Sequence, residues 1–348
     1  MAAYIARRLV WSVALLIAVT LNAYVLFYVV PQGDVAVGAA FANRNEDSGA
    51  NGFRVDDSVL GGYVHFLGRL AHGDLGRSWR TREDVTEIIG RAAPATASLV
   101  IGGAILWLGL ALVIGVVSAM RPRSLFDRAG MLFILVGIAA QPLWLGYVLA
   151  YFFGFRLHWF PIAGYCDFLH PQDGVGCGGP VQWTYHLMLP WFTFALAFAA
   201  IYARMIRASL LEVSHEDYVR TARAKGLSEW ATVRRHSFRN AVIPIVAMLG
   251  MDVGLAFAGS LFVERAFRIP GIGLLTISSL QRRDLPVILG IVVVVSVAIV
   301  ICNLIADVVV GVLDPRVSGR TFARHGGERT APAGDVPELR RPVPASSG

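Results

Sequence analysis

The sequence predicts an all-α polytopic membrane protein with six transmembrane helices. Three observations carry that fold class. Only 16% of the 348 residues are charged and 55% are hydrophobic, too few charges to cover the surface of a soluble chain of this size. Six apolar runs, 9–30, 95–119, 129–153, 186–206, 241–263 and 286–306, each reach the roughly 20 helical residues needed to cross a hydrocarbon core. These runs hold only Arg204, Asp252 and a few neutral polar groups, and they lack the apolar–polar alternation of membrane-barrel strands.

The first run follows Arg7 and Arg8 and precedes GAAFA at residue 38, so it has some features of a cleaved leader. Its uncharged stretch is longer than the roughly 7 to 15 residues of a signal h-region, and it is expected to stay as a span. PQGD at 31–34 breaks the helix, and RNEDSGANG at 44–52 has turn residues and no apolar period, as loop or disorder does. Leu60, Tyr63, Val64, Leu67 and Leu70 then recur at helical spacing ahead of GDLGRSWRT, which suggests a small exported subdomain closing a first region, 1–93. A five-helix core, 94–315, follows. Within it RPRSLFDR joins the second and third spans, and LHWFPIAGY in the loop 154–185 has the aromatic content of a membrane interface. The tail 316–348 is rich in Arg, Pro, Gly and Ser and reads as disordered.

Orientation follows from the arginines. Threading six spans puts Arg7, Arg8, Arg121, Arg123, Arg128, the stretch after 214, Arg316 and Arg320 on one side, which the positive-inside rule makes cytoplasmic together with both termini. The same rule accounts for the net charge of +7 better than nucleic-acid binding does. The loop 264–285, with Arg265, Arg268, Arg282 and Arg283, breaks the rule. Cys166 and Cys177 fall in an exported loop, where they form either a disulfide or two free thiols; Cys302, inside a span, is a small packing residue.

Residues 214–244, SHEDYVRTARAKGLSEWATVRRHSFRNAVIP, interrupt the apolar pattern with a polar, basic stretch. Ser214 and Asp217 fit a capping box, Arg223 and Lys225 sit where positive charge suits a helix C-terminus, and Gly226 is placed as a left-handed terminator. One short helix, 215–225, is expected, with Ser228 capping a second. A basic loop touching anionic lipid would show the charge alone. A DNA-reading helix-turn-helix is disfavoured, because spans tether it on both sides. A helix that docks a cytoplasmic partner accounts for the caps as well.

This stretch resembles the cytoplasmic loop of permease subunits of bacterial ABC importers, in the dipeptide, oligopeptide and nickel version. Arg220, Thr221 and Ala222 stand where the general form has E-A-A before the glycine, and His236, Ser237, Phe238 and Arg239 stand at its I-x-L-P, so the closer likeness is to the peptide-transporter form ending RNAVIP. PQGD at 31, GDLGRS at 73, APAT at 93, QPLWLG at 141, LHWFPIAG at 157, VERAFRIPGIG at 263 and NLIADVVVGVLDPR at 303 resemble the same family in the same order.

The resemblance implies the ABC importer permease fold, a bacterial inner-membrane location and one half of a translocation pathway for peptides or similar solutes. It implies a second permease subunit, two ATPase subunits, an exported substrate-binding protein and the lipid bilayer as partners, and no nucleic acid. ATP and magnesium would sit on the partner subunits. The chain's only lysine, Lys225, precedes glycine instead of following it, so the chain lacks the Gly-Lys of a P-loop. No catalytic residue, metal site or cofactor of its own is expected, and no HExxH or G-x-S-x-G occurs. A channel or sensor scaffold without ATPase coupling is the alternative.

The expected coupling residues are Arg220, Thr221, Ala222, Arg223, Lys225 and Gly226. Asp252, the acid within the fifth run, either faces the pathway or takes part in an internal ion pair. Glu264, Phe267, Pro270, Gly271 and Gly273 form either an outer gate or binding-protein contact, or a plain turn. Asn303 and Asp307 are expected to brace helix ends.

Overall fold

The computed structural model describes residues 2–25, 59–139, 141–168, 177–214, 216–232 and 238–313. The tail 316–348, the end of the first predicted span and the predicted loop at 44–52 lie outside the described residues. In chain order the helices are α1 (Ala2–Tyr24), α2 (Val59–Ala71), α3 (Val85–Met120), α4 (Leu125–Ala139), α5 (Pro142–Leu149), continued by a π-helical turn Ala150–Arg156, α6 (Pro180–Val213), α7 (Asp217–Ala224), α8 (Glu229–Thr232), α9 (Phe238–Phe267), α10 (Ile272–Arg282) and α11 (Leu285–Leu313). Among the described residues there is no strand, only an isolated bridge between Arg77 and Asp84.

Four helices, α3, α6, most of α9 and α11, are long and apolar enough to cross a membrane, and five spans result if the bent pair Leu125–Ala139 and Pro142–Arg156 counts as one. Arg8–Tyr24 is a shorter apolar helix. The third predicted run, 129–153, was expected as one helix, but its two halves are inclined by 110°. Pro142 explains the break: its ring disfavours helical backbone at the preceding residue, and Gln141 is extended at φ −73°, ψ 131°.

α3 and α6 form the central seam, where small residues let the backbones approach. A Cβ added at Gly102 would lie 2.2 Å from the Trp191 ring, and one at Gly115 would lie 2.8 Å from Ile206. Trp107, fully buried, stacks on Phe198 with ring centroids 4.6 Å apart, and Phe194 and Tyr202 flank it. α9 and α11 pack in the same way, with Gly250 against Ala306 and Gly254 against Ile299.

A second apolar cluster binds the first region to this core. Tyr24 of α1 meets Tyr63 and Phe66 of α2, while Val85 and Ile89 of α3 share a buried patch with Val287, Leu289 and Ile291 of α11. The subdomain boundary expected at 93/94 therefore falls inside the continuous helix α3, and 59–93 shares a core with the spans. The reason is hydrophobic: α2 and the start of α3 have too little apolar surface to bury among themselves, so they bury it on α1 and α11.

Candidate functional site

The polar element after α6 is built from local hydrogen bonds. Ser214 continues the helical backbone of α6 at φ −65°, ψ −17°, and its Oγ donates to the Leu211 carbonyl at 2.7 Å. The next helix starts later than the capping-box reading placed it. The Glu216 carbonyl accepts from Val219 N at 3.0 Å and Arg220 N at 3.2 Å, so Glu216 takes the N-cap place and α7 runs Asp217–Ala224. A residue with helical backbone finishing one helix does not have the extended conformation of an N-cap.

The terminator falls at Gly226, with φ +83° one residue beyond Lys225, whose N–H donates to Thr221 O at 3.1 Å. No atom lies within 4 Å of a Cβ placed there, so glycine is required by backbone conformation and not by space. Ser228 Oγ then accepts from Ala231 N at 3.3 Å and caps the short α8. Val219 is fully buried and anchors α7, while Arg220, Thr221, Lys225 and Gly226 are exposed beside Tyr218, Leu227 and Trp230. Ala222 and Arg223 lie in α7, and their side chains are outside the described residues.

Beside this element stands an ion pair that the sequence reading missed. Arg207 of α6 donates from Nε and Nη2 to the two carboxylate oxygens of Asp127 on α4 at 2.8 and 3.0 Å, and Arg123 N donates to Asp127 Oδ2 at 2.9 Å. Asp127 is 5% exposed. Arg207 lies six residues before the end of α6, or about 9 Å along the axis, so the pair ties the loop after α3 to the base of the polar element. The one acid in RPRSLFDR was the available signal; its partner, 80 residues away, could not be chosen among the arginines.

Asp252 of α9 accepts a hydrogen bond from the Tyr202 hydroxyl of α6 at 2.7 Å and is half-buried. Among the described residues no salt bridge joins it. Asp307, expected to brace a helix end, pairs with Arg8 of α1 at 2.6 Å.

The other end of α9 is organised around buried Glu264. Thr96 Oγ1 of α3 donates to Glu264 Oε1 at 2.7 Å, and Leu274 N donates to Oε2 at 2.9 Å; Ile272 N donates to Thr96 Oγ1 at 2.7 Å. Together the two side chains satisfy amides at the start of α10, which the helix itself leaves unpaired. A Cβ on Gly271 would lie 2.4 Å from Glu264 Cδ, and one on Gly273 would lie 2.5 Å from Leu261 Cα. Of the five residues expected at a gate or partner contact, Glu264, Phe267, Gly271 and Gly273 are buried in this knot, and Pro270 is exposed. The four buried residues have the geometry of an internal brace.

Nearby, Cys166 and Cys177 are joined as a disulfide with Cα atoms 5.3 Å apart, and His186 Nδ1 lies 3.3 Å from Cys166 Sγ. The three side chains are close enough to hold a metal ion, but the bonded sulfurs offer no thiolate. The Gly164 amide donates to Phe267 O at 3.0 Å, fixing this loop to the end of α9.

Among the described residues, a multi-pass helical bundle interrupted by a capped, exposed polar element defines the class of protein: an integral membrane protein. The chain belongs to the family of binding-protein-dependent transport system inner membrane components, whose model matches residues 111–319. It is 33% identical to the di/tripeptide transport system permease protein DppB of Pseudomonas aeruginosa over 91% of this chain and 99% of that protein. It is also 33% identical to the oligopeptide transport system permease protein AppB of Bacillus subtilis, again over 91% of this chain and 99% of the relative. Among solved structures, the fold resembles the MetNI methionine ABC transporter in inward-facing conformations, with a TM-score of 0.52 and 14% identity over 65% of this chain and 96% of that one.

Proposed function

We propose that the chain is one of two permease subunits of an ATP-driven importer in the bacterial inner membrane, carrying peptides or similar small solutes. ATP is hydrolysed on two separate ATPase subunits, and an exported binding protein delivers the solute. The single observation that carries this reading is the compact element from α7 through Gly226 to α8, anchored by Val219 and presenting Arg220, Thr221 and Lys225 outward. It is stiff enough to transmit a displacement and exposed enough to be gripped. Closure of the ATPases on nucleotide pushes the element, and α6 and the loop leading to α9 pass the motion to the bundle, biasing it between two states of access. The relatives' names favour peptides as substrate.

Asp252 lies on the pathway in this reading and attracts cationic groups such as a peptide amine, with Tyr202 orienting its carboxylate. Asp252→Asn is then expected to lower uptake of cationic peptides more than that of neutral ones.

The test of coupling is Gly226→Trp in the complete transporter reconstituted in liposomes. The variant still inserts, because the strain of a side chain at φ +83° falls on an exposed turn and not on the packed spans, yet ATP-dependent uptake is lost. Wild-type uptake by this variant would remove the docking role.

A further inference from the structure

In the importer orientation the loop 264–285 keeps arginines where topology disfavours them, and the structure packs a second arginine-bearing segment, 76–84, against it. The segment 76–84 folds back on the turn between α10 and α11 through Asp284, which is 4% exposed. Ser78 Oγ donates to Asp284 Oδ2, Trp79 N donates to Oδ1 at 3.1 Å, and Arg80 Nε donates to the Arg282 carbonyl at 2.9 Å. Two loops about 200 residues apart in sequence thus form one surface.

Among the described residues, the charges on this surface do not cancel. Arg77 pairs with Asp84 and Arg91 with Glu83, and Asp284 is spent on the clasp. Arg80, Arg82, Arg282 and Arg283 remain, all exposed, and none of them has an acidic partner among the described residues. Glu87 in the first turn of α3 is the acid of this segment left outside the pairs. Arg82 and Arg283 hold left-handed backbone, φ 63° and 55°, a conformation that costs a residue bearing a Cβ and that turns tend to give to glycine or asparagine. Arginine at both places runs against turn chemistry, and Arg283 runs against the positive-inside rule as well. A surface kept against two such preferences points to a ligand for its charge.

We propose that Arg80, Arg82, Arg282 and Arg283 form a docking surface for an acidic face of the exported binding protein. The inference rests on the importer reading and its orientation, and it moves the partner contact from the buried Glu264 knot to the arginines beside it. An exposed charged interface suits a partner that must arrive, deliver and leave in every cycle, because complementary charge mainly speeds encounter.

The experiment uses the complete transporter in phosphatidylcholine nanodiscs, titrated with the purified binding protein of the same system. Arg282→Glu with Arg283→Glu is expected to weaken docking about tenfold at low salt, with the difference shrinking at about 0.5 M salt. Arg82→Glu, on the other loop, shifts docking the same way, while the paired Arg→Lys variant stays near wild type. These side chains are exposed, and Arg80 grips only the Arg282 backbone, so the variants are expected to fold. Unchanged docking in both reversals overturns the proposal, as does an effect seen only in discs containing phosphatidylglycerol, which would assign the surface to lipid. Arg283→Cys, in a Cys302→Ser background, is labelled in intact cells by a membrane-impermeant maleimide if the orientation holds. Labelling only after permeabilisation would sink the orientation together with this surface, whereas external labelling with unchanged docking would sink the surface alone.

Discussion

The two ends of α9 are built on different principles. Before its start, bonds between near neighbours shape α7 and α8: Thr221 to Asp217, Lys225 to Thr221 and Ala231 to Ser228. At its other end, before α10, Thr96 reaches Glu264 across 168 residues, and just past α10 Ser78 reaches Asp284 across 206. The first arrangement shapes a short piece from within, seated on buried Val219; the second locks separate helices to one another. A part that must be moved as a unit suits the first design, and a frame against which it moves suits the second.

The sharpest way to break the contrast is Glu264→Leu. It leaves the Leu274 amide and the Thr96 hydroxyl without their acceptor inside a closed knot, and a loss of about 3 kcal/mol is expected. Thermal unfolding of the purified complex should show a clear drop in Tm, and an unaltered Tm would mean that the knot does not brace α10. Asp127→Asn should come next. It weakens the Arg207 fork while keeping most of the shape, so about 1 to 2 kcal/mol is expected, given that Arg207 is partly open to solvent. The same assay checks it. Arg220→Ala should have the smallest effect on stability, within about 0.5 kcal/mol, because the side chain is exposed. Its effect belongs in ATP-dependent uptake; a large fall in Tm without a fall in uptake would reverse the roles assigned to the two ends.

The contrast also marks what the sequence could convey. Long apolar runs need only local counting, and the cores of α3, α6, α9 and α11 fall where the runs predicted them. Gly226 was legible because a helix stop is written in adjacent residues. Ser214 was misread because the same hydroxyl that can open one helix can close another, and only the backbone angle decides between them. Pro142 inside QPLWLG was visible, yet the apolar run around it hid the break. The clasps on Asp127, Glu264 and Asp284 were out of reach, because each joins residues whose nearness depends on the packed bundle. Glu264 was singled out from its motif, but nothing local revealed that its carboxylate turns inward.

The length of α6 has a mechanical consequence. Its 34 residues extend for about 50 Å, well past a hydrocarbon core of about 30 Å, with the bridged cysteines near one tip and the capped element at the other. A rod of that length converts angle into travel: tilting by about 5° about one tip carries the other through roughly 4 Å. Displacements the size of a side chain on one face of the membrane therefore require only slight rocking of this one long helix.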